Sequence, residues 1–191
     1  MTPIRVEEFG VEPVSLAEMR GYLRLDGDDS GEDALIGGLI AAARASVESA
    51  TRRLVRPARF RLMLTAWPAG GVLPLPLSPL VAVTRAGIVG ADAVVEEIDT
   101  GLLRIGPDPW EAPCLLVDPA VPLLLRKAAL IEVTAGCGGD GPSVPAPLTQ
   151  AIRMLVADWF ENRGEATPGQ PLGPPQAAAE MGAPHRLMRT S

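Results

Sequence analysis

The chain has 191 residues, of which 47% are hydrophobic and 21% charged, as expected of a globular protein large enough to bury a core. Its formal net charge of −6 argues against a protein that grips nucleic acid over a broad surface. No apolar run reaches the length of a membrane span and the N-terminus lacks a signal-peptide pattern, so we expect a protein that is neither exported nor membrane-bound.

Two helices are predicted at the start of the chain. Ser15 and Glu18 have the spacing of a capping box, so the first helix begins at Ser15, and an Asp- and Gly-rich turn ends it near residue 25. A second helix is predicted over residues 31–54, because apolar residues recur at helical spacing between Leu35 and Leu54. Acidic residues open this helix and arginines close it, as the helix dipole favours.

From residue 57 to residue 143 the pattern becomes alternating and rich in proline. In the first strand, Phe60, Leu62 and Leu64 alternate with Arg59, Arg61 and Thr65. The prolines between Leu73 and Leu80 restrict that segment to a sheet edge or an extended connection. Turns near residues 90 and 100 predict a meander of short strands, and a final strand is expected over 129–135. The sequence therefore predicts an antiparallel sheet inserted between helices.

The last predicted helix covers residues 146–163 and contains two of the chain's six Trp and Phe residues, so we expect it to pack on the second helix. Residues 165–191 are rich in Pro and Gly and end in a short basic and apolar peptide. This composition fits either an arm that orders on a partner or a frayed tail. The prediction is an α+β protein with a single domain over 1–164 and an extended C-terminal arm.

Two short motifs resemble ligand-binding loops, and each lacks an essential part. Residues 26–31 match the first half of a calcium loop, but Gly37 stands where the loop needs its bidentate Glu. Residues 136–141 fit G-x-G-x-x-G, but prolines stand where the helix of a dinucleotide-binding unit should begin. Neither a metal ion nor a cofactor is predicted.

Residues suited to nucleophilic or acid-base catalysis are scarce. The only histidine, His185, lies in the arm, so it would be a base on an unfixed segment. Cys114 and Cys137 lack metal-type spacing and are expected to be small, buried or half-buried thiols. No catalytic residue is predicted, although a hydrolase with unpaired carboxylates remains an alternative.

Five arginines cluster after the second helix: Arg52, Arg53, Arg56, Arg59 and Arg61. They could meet phosphate or an acidic protein surface. They could equally be a solvated helix end that runs into a strand, since the helix dipole already accounts for the first three. As a contact site, the cluster would serve a protein rather than DNA.

The ordered set of segments resembles the tailed-phage head-tail connector, or adaptor, family, including its versions in prophages and gene transfer agents. The resemblance spans residues 13–164. Its blocks are the helix pair from Ser15 to Val55, LPLPLSPLVAV from Leu73, IEVTAGCG from Ile131 and the last helix from Val144 to Gly164. The closing HRLMR is similar to the end of longer family members. Residues 134–138 depart from the family, which tends to place aromatic residues there.

The resemblance implies a structural subunit of a homo-oligomeric ring, commonly of twelve copies, between the portal protein and a tail-side neck or stopper protein. Double-stranded DNA would pass through the ring without sequence-specific binding. Such a protein is made in the bacterial cytoplasm and located at the neck of a phage-like particle. A non-viral helical protein-binding module is the alternative.

Two sets of partner-binding residues are predicted. The arm is expected to dock on the portal through Arg186, Leu187, Met188 and Arg189, and the five-arginine cluster is expected to meet a neighbouring subunit or neck protein. Truncation after Gly164 is then expected to leave a folded protein that fails to join heads to tails.

Overall fold

The computed structural model describes residues 2–25, 31–162 and 176–187. The chain forms two compact units, a β unit of residues 1–10 and 56–142 and a helical unit that begins with 11–55 and resumes at 143. The β unit thus interrupts the helical unit in sequence. The predicted α+β class, with an antiparallel β-rich insertion between helices, is confirmed.

The described part of the helical unit contains four α-helices. They are α1 (Leu16–Leu23), α2 (Asp33–Thr51), α3 (Ala146–Glu161) and α4 (Gln176–Gly182), and a 3-10 turn at Ala183–His185 follows α4. The first three correspond to the helices expected from the sequence. The fourth does not, since an extended arm was predicted over that part of the chain.

Local chemistry sets the ends of α1 and α2. Glu18 N–H donates to the Ser15 hydroxyl at 3.2 Å, and Ser15 N–H donates to the Glu18 carboxylate at 2.8 Å, which completes the predicted capping box. The hydrogen bond that Ser15 N–H donates to the Glu18 carboxylate is the main reason why the pKa of Glu18 is lowered. At its C-terminus α2 stops at Thr51, three residues earlier than expected, because Arg52 adopts a left-handed conformation with φ of 58°.

The core of the helical unit lies where α2 and α3 meet. Their facing residues are buried: Ile36, Ile40, Ala43 and Val47 on α2, and Leu148, Ile152, Leu155 and Val156 on α3. Phe160 joins this core, and Trp159 packs partly buried against it. The apolar stripes that predicted the two helices are therefore the surfaces that hold them together.

The β unit contains two antiparallel sheets. Its strands are β1 (Ile4–Glu8), β2 (Ala58–Leu64), β3 (Val72–Pro74), β4 (Leu80–Val89), β5 (Val95–Glu97), β6 (Leu103–Ile105), β7 (Cys114–Val117) and β8 (Ala128–Ala135). One sheet has the order β1-β2-β8-β4-β5 and the other the order β3-β7-β6. The last strand in sequence, β8, is thus the central strand of the larger sheet.

The predicted meander of short strands was wrong. Of its three predicted strands, β4, β5 and β6, only the first two pair with each other. A 3-10 turn at Thr100–Leu102 precedes β6, which pairs with β7 in the second sheet. Neither β1 nor β7 was expected. Pro74 lies in β3, an edge strand, as its missing N–H requires.

Candidate interaction surfaces

The arginine cluster does not form a single exposed surface. Arg53 is only 1% exposed, and its Nε donates to the backbone carbonyl of His185. Arg56 donates from Nη2 to the carbonyl of Gly10 at 2.9 Å and from Nε to that of Phe9 at 3.2 Å. These two guanidiniums stabilise their own chain, since they satisfy backbone acceptors in their own units.

Arg59 and Arg61 point from β2 toward acids on the neighbouring strands. Arg59 pairs with Glu7 of β1. Arg61 donates to Oε1 of Glu132 on β8, from Nε at 2.9 Å and from Nη2 at 2.7 Å. Glu132 is 5% exposed, so this carboxylate is largely withdrawn from water and has a guanidinium as its partner.

The pairs continue across the sheet and form a charged ladder. Arg85 of β4 is the register partner of Glu132, and its Nε donates to Glu97 of β5 at 2.8 Å. The hydrogen bond to Glu97 raises the pKa of Arg85. We call these six residues the charge ladder: Glu7, Arg59, Arg61, Glu132, Arg85 and Glu97.

The charge ladder contains three arginines and three glutamates, so its formal charges cancel. Neutralised guanidiniums attract phosphate less than free ones. Sequence reasoning recognised only the arginines on β2. The acids opposite them lie far away in sequence, and only the strand order reveals the pairing. Arg52 is exposed, and the side chains of Arg59 and Arg61 are 40% and 41% exposed. A partner contact through these three residues stays a prediction.

The C-terminal segment 176–187 packs against the helices of its own unit. Ala178 and Leu187 are buried, with Ala178 part of the helical core. Leu187 N–H donates to the carbonyl of Thr51 at 2.8 Å, which satisfies an acceptor that the end of α2 would otherwise leave open. Of the predicted portal-binding residues, Arg186 is exposed, Leu187 is buried, and Met188 and Arg189 lie outside the described residues.

An apolar pocket of about 230 Å³ lies between α2, α3 and α4. Val47 and Leu155 contribute buried apolar wall. Its exposed lining residues are Ala50, Ala179, Ala183 and Arg186. The small side chains of the three alanines leave the pocket accessible from solvent.

The loop between β7 and β8, residues 118–127, presents large apolar side chains to solvent. Leu123 and Leu125 are 75% and 77% exposed. The loop is held at both ends of this apolar stretch. Trp67 Nε1 donates to the carbonyl of Pro122 at 2.8 Å, and Lys127 pairs with Glu96 at 3.5 Å. Contiguous exposed apolar surface is typical of interaction sites.

The glycine-rich segment 136–141 is a structural turn. Gly136 N–H donates to the carbonyl of Pro79 at 2.8 Å. A Cβ at Gly136 would lie 2.4 Å from the carbonyl oxygen of Arg56, so glycine is required there by close backbone packing. The segment therefore has a structural role, in agreement with the absence of a dinucleotide-binding helix after it.

The other motifs weighed from the sequence were possible metal or thiol sites. Most of the calcium-like segment, residues 26–30, lies outside the described residues. Among the residues that the structure does describe, no group of three or more His, Cys, Asp or Glu side chains could hold a metal ion. Cys114 is half-buried and Cys137 buried, and neither forms a disulfide. Within the described ranges, no helix is long and apolar enough to cross a membrane.

Comparison with known proteins identifies similar solved structures. No protein-family profile matches the chain, and no curated protein sequence matches it. A chain in the virion of a native gene transfer agent (GTA) particle is similar with a TM-score of 0.80 and 28% identity. The match covers 100% of this chain and 98% of the other. The predicted resemblance to the head-tail connector family is confirmed.

Two neck structures extend this comparison. A chain in the neck of an empty GTA particle, computed with C6 symmetry, matches with a TM-score of 0.76 and 29% identity. A chain in the neck of a native GTA particle, computed with C12 symmetry, matches with a TM-score of 0.69 and 27% identity. In both cases the match covers 100% of this chain and 98% of the other. The similarity to neck components therefore includes both the β unit and the helical unit.

Proposed function

We propose that this chain is a structural head-tail connector subunit of a phage-like particle. It forms a ring at the neck between the portal and the tail-side neck proteins. The observation that carries the proposal is the similarity over the whole chain to structures of GTA necks. Because the match includes both the β unit and the helical unit, it does not rest on a single common motif.

A homo-oligomeric ring, with twelve copies as the expected number, is supported by the C12 symmetry used for one of the similar necks. Identical subunits close into a ring when a patch on one copy meets a different patch on the next. The chain offers distinct patches for this purpose, among them the loop 118–127 and the pocket between α2, α3 and α4.

The passage of DNA through such a ring is supported by charge. The protein carries a net charge of −6, and the arginines of the charge ladder are neutralised by Glu7, Glu97 and Glu132. An acidic lining repels phosphate and lets a duplex slide. The ring would therefore guide DNA without holding it.

The portal remains the proposed partner of the C-terminal end. Arg186 is exposed and able to meet an acidic surface. Leu187 contributes differently from what was expected, since it is buried by its own chain and anchors the segment. The portal contact would therefore involve Arg186 and the residues beyond Leu187.

Electron microscopy of purified particles tests the proposed function. In particles from producing cells, we expect this chain as a ring at the neck, identified by the fit of its two units into density. Cells that lack the gene should accumulate filled heads and free tails, and a plasmid-borne copy should restore joined particles. Normal joining without the gene, or a neck built entirely of other chains, would contradict the proposal.

A further inference from the structure

The loop 118–127 and the apolar pocket of the helical unit are complementary in character. Burying a leucine side chain contributes about 1.5–3 kcal/mol, so two leucines that are 75% and 77% exposed leave a substantial stabilisation unused in the single chain. The hydrogen bond from Trp67 to the carbonyl of Pro122 anchors the loop next to Leu123. Little ordering entropy would therefore be lost when the loop is covered.

The pocket has a suitable volume and lining for a branched aliphatic side chain. An apolar cavity of about 150 Å³ accommodates benzene, and this pocket measures about 230 Å³. Val47 and Leu155 supply apolar walls, and the exposed alanines leave the entrance open.

Charge favours a copy of this acidic chain as the partner of the loop. After the two leucines the loop continues with Arg126 and Lys127, the latter being the only lysine of the protein, whereas the chain as a whole is acidic. Glu180 is exposed on α4 beside Ala179, which lines the pocket. Arg186 also lines the pocket, so the basic end of the loop is expected on the Glu180 side.

We propose that Leu125 of one copy inserts into the α2–α3–α4 pocket of the neighbouring copy, with Leu123 of the same loop packing beside it. This inference rests on the proposed function, because a contact between unlike patches closes a ring when it is repeated by rotation. The two leucines bury far less than the roughly 1,200–2,000 Å² of a stable interface. The contact therefore sets the register of subunits in a ring that other contacts also hold, and it is best tested in assembled particles.

Two versions of the full chain, each with one added cysteine and made together in particle-producing cells, test the contact. One version carries Leu125→Cys and an affinity tag, and the other carries Ala50→Cys. The matched control replaces the second version with Ala45→Cys, an exposed alanine on another face of the same helix. Purified particles are oxidised mildly and run on a non-reducing gel, with the parental protein as the baseline for Cys114 and Cys137.

We expect a reducible tagged–untagged dimer from the Leu125→Cys and Ala50→Cys pair, at least several-fold above the Ala45→Cys control. If both versions are present in the purified particles on a reducing gel, where the tag separates them, and no dimer exceeds the control, the inference is wrong and the proposed function stands. If the chain is absent from the neck of the particles, the proposed function itself is wrong, and the inference fails with it.

Discussion

At the scale of single residues, the pairing of arginines across the sheet changes the role expected for the arginine cluster at residues 52–61. Arg59, Arg61 and Arg85 each have a glutamate partner on an adjacent strand. Cross-strand pairs of opposite charge stabilise a sheet by roughly 0.2–1 kcal/mol each. What looked like a surface for partners is in large part a set of contacts within the β unit.

Glu132 is the residue of the charge ladder on which stability depends most. Removing one member of a buried ion pair costs about 3–5 kcal/mol, but the Arg61 side chain is 41% exposed, so solvent screening reduces the effect. We expect Glu132→Gln to lower the free energy of unfolding by about 2 kcal/mol, measured by urea denaturation at neutral pH.

The matched control is Glu97→Gln, at the exposed end of the same charge ladder. The Glu97 side chain is 55% exposed, and we expect a loss of less than about 0.5 kcal/mol. Equal losses for the two substitutions would contradict the view that the burial of Glu132 makes its pairing important.

At the scale of secondary-structure elements, the C-terminal segment differs most from expectation. Its Pro- and Gly-rich composition predicted an arm, but α4 and Leu187 pack against α2 and α3. Truncation after Gly164 would therefore remove part of the helical core and the carbonyl partner of buried Arg53. The expectation that this truncation leaves the fold intact needs revision, because the cut would also destabilise the protein.

A point substitution at Leu187 tests how this residue anchors the C-terminal segment without removing the whole segment. Leu187 is 8% exposed, and Leu187→Ala is expected to cost about 2–3 kcal/mol of unfolding free energy through lost burial and a new cavity. Glu180→Ala, at an exposed position of α4, should change stability by less than about 0.5 kcal/mol. If Leu187→Ala were as stable as the parent in urea denaturation, the segment would not be part of the core.

The elements that depend on local interactions could be predicted from the sequence, and those that depend on long-range contacts could not. The helices α1, α2 and α3 were predictable, because capping at Ser15 and apolar spacing act within a few turns. The pairing of strands was not, since β2 and β8 lie about seventy residues apart and alternation says nothing about neighbours. The same reason hid Glu7, Glu97 and Glu132 as partners of the arginines.

Contacts formed in three dimensions also explain the missed α4. The segment has no long apolar stripe of its own, and its short helix is stabilised by burial of Ala178 against the helical core. The pocket between α2, α3 and α4 could not be predicted either, because it forms only when segment 176–187 packs against α2. The exposed Leu123 and Leu125, by contrast, stood in the sequence as an apolar run that no periodicity explained.

At the scale of the whole molecule, the net charge of −6 and the neutralised charge ladder predict weak contact with DNA. In an electrophoretic mobility assay at about 0.15 M salt, we expect the protein not to retard duplex DNA. Glu7→Gln combined with Glu97→Gln should free Arg59 and Arg85 and produce retardation that disappears as salt is raised. Retardation of DNA by the parental protein would contradict the proposed guiding role.

The position of β8 has a consequence for how the protein is made. Synthesis runs from the N-terminus, so β2 and β4 are complete before the strand that joins them has been added, and unpaired strand edges are prone to aggregate. The helical unit waits longer still, because α2 packs on α3, which ends only at Glu161. A chain that terminates before Ala128 would therefore complete neither unit.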